Sequence, residues 1–118
     1  YEGTIVRERA IVAGIARSYR VEVRRRLIQM HQTAAENSAL RFDQVIKSVN
    51  PGKSAEYRTK LKLALSLLDE VQKELDPILL LARPYPQEFS VIVAWIQEDL
   101  ATVRAMRKTL EGELEGLK

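Results

Sequence analysis

The chain contains no cysteine, one histidine and one tryptophan. Without cysteine, neither a disulfide bond nor a thiolate metal site can form, and one histidine cannot supply a histidine metal cluster. Five glycines and four prolines are the only strong chain breakers among 118 residues. So few breakers favour long helices over many short strands. The sequence therefore predicts an all-α fold, and it gives no reason to expect a metal ion or another cofactor.

Long hydrophobic runs are also absent. The longest candidate, PILLLA at residues 77–82, is far shorter than the about 20 apolar residues of a membrane-spanning helix. We therefore expect no membrane insertion in this segment. The first residues do not form a signal-peptide pattern. The chain begins with Tyr1 rather than methionine, which suggests a domain excised from a longer chain or a processed product. The cellular compartment stays open, with a slight preference for the cytoplasm.

Composition and length indicate a single helical domain over residues 1–118. Hydrophobic residues make up 46% of the chain and charged residues 30%, which is typical of a globular domain. The charge is uneven: residues 1–62 carry a balance of +7, whereas residues 63–118 carry −4. A basic half and an acidic half can pair within one bundle, pair between subunits, or present the basic half to a polyanion.

The middle and last segments show the clearest helical pattern. Apolar residues recur at alternating steps of three and four, which is typical of the seam of a bundle or coiled coil. The seam of the middle segment consists of Tyr57, Leu61, Ala64, Leu68, Val71, Leu75, Ile78 and Ala82. The seam of the last segment consists of Phe89, Val93, Ile96, Leu100, Val103, Arg107, Leu110, Leu114 and Leu117. We predict long helices near 54–82 and 87–117.

The first helical segment is longer. Its predicted core face comprises Ile5, Val12, Ala16, Tyr19, Val23, Leu27, Met30 and Ala34. The same phase continues to Val49, but a single helix of that length would overhang its partners by about 20 Å. We therefore favour a bend near residues 36–38, with a long helix over 4–35 and a shorter one over 38–49. Short connections between long amphipathic helices then predict an antiparallel three- or four-helix bundle.

Four arginines of the first segment form a charged stripe. They are Arg9, Arg17, Arg20 and Arg24. At about 100° per residue they fall within an arc of roughly 80°, beside the predicted apolar face. Planar guanidinium groups suit phosphates, so this arginine stripe is a candidate polyanion-binding surface for DNA or RNA. The alternative is a solvated face that is partly paired with the acidic second half. The helical period runs through the stripe without a turn residue, which argues against a helix-turn-helix.

Arg26 and His31, with four residues between them, resemble the arginine–histidine motif of HEPN nucleases. In that family the pair lies on helical bundles, and dimerisation brings two copies together. The resemblance covers six residues and implies an RNase site at this pair. Elsewhere the chain has no Gly-rich phosphate loop, no Glu-x-x-His metal motif and no nucleophile with a candidate base. We therefore predict that the protein is not an enzyme.

A candidate partner interface lies on the last helical segment. Val91, Trp95 and Met106 fall outside the main seam, within an arc of about 60°, and tryptophan and methionine are frequent in partner-binding patches. Arg107 interrupts the seam, where it could pair with an acid across an interface. If no neighbouring helix covers Trp95, we expect a helix-on-helix interface there.

These features rank three hypotheses for the function. The first is a non-enzymatic helical-bundle module that oligomerises or docks a protein partner through helix faces, with a homo-oligomer expected. The second is a nucleic-acid-binding protein that uses the arginine stripe. The third is a helical sensory domain of a larger receptor, which no ligand-binding constellation in the sequence supports.

Overall fold

The computed structural model describes residues 2–117. It contains three helices: α1 over Glu2–Lys47, α2 over Ser54–Ala82 and α3 over Ser90–Gly116. No strand occurs in this range, so the predicted all-α class is confirmed. The three helices form an extended, hairpin-like bundle with dimensions of 81 × 19 × 16 Å.

The helices run antiparallel along the chain, and the paired residues show it. Arg24 of α1 contacts Leu81 of α2. Ser38 lies about 21 Å further along α1, and it contacts Glu70, which comes earlier in α2. α2 packs against both α1 and α3. In contrast, no Cα atom of α1 lies within 8 Å of a Cα atom of α3 in the described range. α2 is therefore the central helix, and α1 and α3 stay apart.

The predictions for α2 and α3 are confirmed. α2 spans the predicted range, and α3 begins three residues later than predicted. Both seams supply the core: its buried members include Leu61, Ala64, Leu68, Val71, Leu75, Ile78 and Ala82 from α2, and Phe89, Ile96, Val103 and Leu110 from the last segment. Pro77 lies inside α2, which continues through it. A regular seam over many turns therefore predicted these two helices correctly.

The predicted bend near residues 36–38 is wrong, as is the separate helix over 38–49. α1 is one helix of 46 residues. Ser38, which the prediction placed at a break, is buried within α1 at 5% exposure. Its hydroxyl donates a hydrogen bond to Oε2 of Glu70 in α2, at 3.2 Å. Because α2 supplies the partner for this buried hydroxyl, Ser38 fits inside the helix and does not end it.

The predicted core face of α1 is wrong over residues 5–30, whereas its predicted continuation through Phe42 and Val45 does pack against the core. Tyr19, Val23, Leu27 and Met30 are exposed, whereas Val21, Ile28, Ala35 and Ser38 are buried. The true seam is mixed, because polar residues lie between its apolar ones. Two of these polar residues have a partner in α2: Arg24 Nη1 donates to the carbonyl oxygen of Leu81 at 3.0 Å, and His31 Nδ1 lies 2.8 Å from Oε2 of Glu74. These partners let α1 present a half-polar face to the core.

Removing the hydrogen bond of Ser38 should lower the stability of the protein measurably. We expect Ser38→Ala to lower the free energy of unfolding by about 0.5–1.5 kcal/mol, because the hydrogen bond of the buried hydroxyl is lost, although the carboxylate of Glu70 keeps its ion pair with Arg41. Urea denaturation followed by circular dichroism measures this change. Ser66→Ala is the matched control, since the exposed hydroxyl of Ser66 bonds only to a carbonyl of its own helix. An equal effect of both substitutions would contradict this assignment.

Candidate functional site

A groove of about 370 Å³ lies on one side of the bundle, between α1 and α3. Its floor is the apolar surface of α2, and its walls are residues of the two outer helices. The lining includes Ala35, Ala39 and Phe42 from α1, Leu68, Val71 and Leu75 from α2, and Trp95, Ile96 and Met106 from α3. Ala35 and Ala39 end in a methyl group, so the α1 wall does not fill the space on its side of the groove. The arrangement is that of a bundle with room for side chains of a further helix.

The groove contains two of the four residues predicted at a partner interface. Trp95 lines it and is 59% exposed, and Met106 lines it at intermediate exposure. Val91 lies one turn before Trp95, is exposed, and is not part of the lining. An exposed tryptophan beside an apolar groove is typical of a partner-binding surface.

The rims of the groove are acidic. Glu36 lies on the α1 rim and Asp99 on the α3 rim, and both are exposed. No basic residue is among the residues that line the groove. An apolar floor between two carboxylates favours a ligand that is apolar along one side and positively charged along its edges.

Arg107, the fourth predicted interface residue, is bound within the chain. Its guanidinium forms a hydrogen-bonded ion pair with Asp69 of α2. The side chain of Arg107 is 27% exposed and that of Asp69 is 66% exposed. The Nε atom of Arg107 is buried and has no hydrogen-bond partner in the described part of the chain. This arginine therefore joins α3 to α2, close to the end of the groove.

A second polar link joins α2 to α3. The hydroxyl of Tyr57 donates a hydrogen bond to Oε2 of Glu113 at 3.3 Å. Desolvation raises the pKa of Tyr57 above its ordinary value, and the negative charge of Glu113 and this hydrogen bond act in the same direction. Because the folded-state pKa is raised, the link contributes at neutral pH and is lost only as the pH rises through that pKa. Its role in the fold is thus independent of pH near neutrality.

The arginine stripe largely faces the connection between α2 and α3. Arg17 pairs with Glu88 at 2.7 Å, and its guanidinium lies 5.1 Å from the centre of the Tyr85 ring. Arg20 Nε donates to the hydroxyl of Tyr85 at 3.2 Å, and the Arg24 guanidinium lies 5.6 Å from the same ring centre. Three of the four arginines therefore hold this connection against α1.

Arg9 differs from the other three residues of the stripe. It lies in the exposed first part of α1, well before the residues that contact the α2–α3 connection. The structure therefore does not bring the four arginines together as one free cationic surface. The sequence predicted their shared side of the helix, but it could not show that Tyr85 and Glu88 approach that side.

Arg26 and His31 do not form a joint site within the chain. Arg26 donates to Oε1 of Glu22, at 3.2 Å, on the exposed outer side of α1. His31 faces α2, where it pairs with Glu74. In the described part of the chain no group of three or more His, Asp or Glu residues is placed to hold a metal ion.

Sequence reasoning missed a second candidate surface, on the outer side of α1. Its apolar residues recur at steps that repeat every eleven residues, and all lie within an arc of about 80°. We call this surface the outer stripe; it consists of Ile5, Val12, Ala16, Tyr19, Val23, Leu27, Met30 and Ala34. The sequence pattern identified these residues as one face of the helix, and that face was predicted to lie in the core. The helical period shows which residues share a face, but it does not show whether that face contacts α2 or solvent.

Comparison of the chain with protein-family models, curated proteins and solved structures finds no significant match. Among residues 2–117, no helix combines the length and the hydrophobicity needed to cross a membrane. The features of the structure that bear on function are therefore the groove between α1 and α3, the outer stripe of α1, and the charges beside them.

Proposed function

We propose that this protein is a non-enzymatic interaction module that docks an amphipathic helix of a protein partner in the groove between α1 and α3. The observation that carries the proposal is the exposed side chain of Trp95 beside an apolar floor formed by α2. A helix laid in this groove would bury its apolar side chiefly against Trp95 and Met106, above a floor of Leu68, Val71 and Leu75 that is already nearly buried.

The charge of the rims supports a basic partner. Glu36 and Asp99 stand on opposite rims, where basic residues on the two edges of a docked helix would meet them. Such rim charges mainly direct association and discriminate between partners, whereas burial of the apolar side supplies most of the affinity. The proposed partner is therefore a helix with leucine-like residues on one side and lysine or arginine at both edges.

A synthetic amphipathic helix of leucine and lysine, free of aromatic residues, tests the proposal. Trp95 is the only tryptophan, so its fluorescence reports the groove alone. We expect its emission to shift to shorter wavelength as the peptide is added, and to saturate, because a docked helix removes the indole from water. A peptide of leucine and glutamate with the same pattern should bind at least roughly tenfold more weakly.

Two adjacent acids of α3 provide matched variants. Asp99 lines the groove, whereas Glu98 does not. We expect Asp99→Lys to weaken binding of the lysine peptide clearly more than Glu98→Lys, although both change the net charge equally. Equal effects of the two variants, or equal binding of the lysine and glutamate peptides, would show that the groove is not the docking site.

Nucleic-acid binding through the arginine stripe is the alternative, and it has less support. Arg17, Arg20 and Arg24 are engaged with the α2–α3 connection, so a phosphate backbone would have to displace these contacts. Binding of labelled DNA or RNA that falls steeply as salt rises would favour the alternative. No group in the described range suggests the small-molecule site that a sensory domain requires.

A further inference from the structure

We propose that the protein self-associates through the outer stripe of α1, which pairs antiparallel with the outer stripe of a second copy. This inference rests on the proposed role as a helix-docking module, but it uses a surface separate from the groove.

In the described range α2 buries other apolar residues of α1, namely Val21, Ile28 and Ala35, and the outer stripe stays largely exposed. Its six large apolar side chains are between 38% and 70% exposed: Ile5, Val12, Tyr19, Val23, Leu27 and Met30. Taking roughly 150–200 Å² for each such side chain when fully exposed, the stripe presents on the order of 500 Å² of apolar surface to solvent. An apolar surface of that size, where it occurs on a single chain, is often a binding site.

The area of the stripe matches what a stable dimer needs. A standard interface buries about 800 Å² on each partner. The stripe and the side chains along its two edges approach that value, since residues 5–34 extend over about 44 Å of helix. The eleven-residue spacing keeps the stripe nearly straight along α1, so that two such helices can remain in contact over this length.

The first part of α1 gives an independent reason for a partner. Residues 2–15 are all exposed and extend about 21 Å beyond the rest of the bundle. An isolated helix of this length is marginally stable in water. It includes Ile5 and Val12 of the outer stripe, which are 39% and 59% exposed. A second helix along the stripe would stabilise this overhang and cover these two residues.

The charges at the edge of the stripe favour an antiparallel pair. Glu8 and Arg26 lie on the same edge. A two-fold axis near Arg17 places Glu8 of each copy opposite Arg26 of the other, so the pair forms twice. In a parallel pair in register, an edge residue of one copy lies opposite the residue about five positions later in the other copy. Glu8 would then lie opposite Ala13 and would have no residue of opposite charge beside it.

An antiparallel pair would also support the overhanging residues 2–15 of each copy. About the same axis, residues 2–16 of each copy lie along residues 18–32 of the other, which are supported by α2. Val12 of the stripe then lies between Tyr19 and Val23 of the partner. Arg26 is 76% exposed and bonded only to Glu22 four residues earlier, and such surface pairs on one helix are weak. It can therefore turn to Glu8 of the second copy.

Light scattering during size-exclusion chromatography tests the proposal. We expect the chain of 13.5 kDa to elute with twice that mass at micromolar concentration. Val23→Glu should raise the dissociation constant of the dimer at least roughly tenfold, because it places a carboxylate in the apolar pairing. Leu80→Glu is the control: Leu80 is an exposed apolar residue of α2 outside the stripe, and this variant should remain a dimer. Circular dichroism verifies that both variants fold.

Charge exchange and cross-linking test the orientation. Glu8→Arg and Arg26→Glu should each weaken the dimer, and the double variant should restore it. Because the chain has no cysteine, introduced thiols report the geometry directly. Ala16→Cys lies near the axis and should cross-link to itself, whereas Ile5→Cys should not.

Three results would overturn the proposal. They are a monomeric mass for the unchanged chain, a dimer that Val23→Glu leaves intact, and self-cross-linking of Ile5→Cys, which only a parallel pair allows. The fluorescence of Trp95 with the lysine peptide is read independently of mass, so a failure of self-association and a failure of the groove are distinguishable.

Discussion

Replacing Phe89 with alanine is expected to lower the free energy of unfolding by about 3–5 kcal/mol. Phe89 is fully buried, at 0% exposure, and lies at the start of the α3 seam. Its ring meets Tyr85 edge to face with centres 6.5 Å apart, and the guanidinium of Arg25 lies 5.4 Å from its centre. The substitution therefore leaves a cavity just before α3, beside Tyr85 of the α2–α3 connection and the Arg25 side chain of α1.

Trp95→Ala is the matched control for this prediction. Trp95 is the larger aromatic residue and lies in the second turn of α3, close to Phe89 in the chain, but it is mostly exposed. We expect its replacement to change the free energy of unfolding by less than about 1 kcal/mol. Urea denaturation followed by circular dichroism suits both variants, because it does not depend on tryptophan. If Trp95→Ala costs as much as Phe89→Ala, then Trp95 is part of the core and the groove is not an open surface.

The sequence predicted α2 and α3 because their seams are apolar at nearly every position. The one exception, Arg107, did not disturb the pattern. In these two helices the most apolar face is also the face that a neighbouring helix covers, so periodicity alone identified it. The first turn of α2 has no side-chain cap, since Lys53 occupies the capping position and makes no side-chain hydrogen bond.

α1 was predicted less well because it has two candidate faces. The outer stripe is more apolar than the face that α2 covers, so hydrophobicity alone selects the wrong one. The buried face depends on pairs such as His31 with Glu74 and Ser38 with Glu70. These pairs join residues more than thirty positions apart, and nothing in a local pattern identifies them. Tertiary partners therefore decided the orientation of α1.

The candidate site was partly accessible from the sequence. Trp95 and Met106 were selected because they lie off the main seam, and both line the groove. The groove itself depends on Ala35 and Ala39 in α1, whose small size carried no signal while the wrong face was assigned to the core. The engagement of Arg17 with Glu88 and Tyr85 likewise depends on the path of the α2–α3 connection.

Arg107 and Asp69 should respond to substitution in opposite directions. We expect Arg107→Leu to raise the free energy of unfolding by about 1 kcal/mol, because leucine continues the apolar seam between Val103 and Leu110 and removes a buried Nε that has no partner in the described range. Asp69 is mostly exposed, so its carboxylate is hydrated when the arginine is absent. The ion pair thus stabilises the fold less than an apolar residue would.

Asp69→Ala should instead lower the free energy of unfolding by about 1–2 kcal/mol. It leaves the partly buried guanidinium of Arg107 without its carboxylate, and an unpaired charge in the interior costs more than the pair contributes. The two variants together separate the cost of burying the arginine from the benefit of its partner. Arg104→Leu is the control, because Arg104 is exposed on the same helix and should change stability by less than about 0.5 kcal/mol. A loss of stability in Arg107→Leu as large as that in Asp69→Ala would show that the pair itself stabilises the contact between α2 and α3.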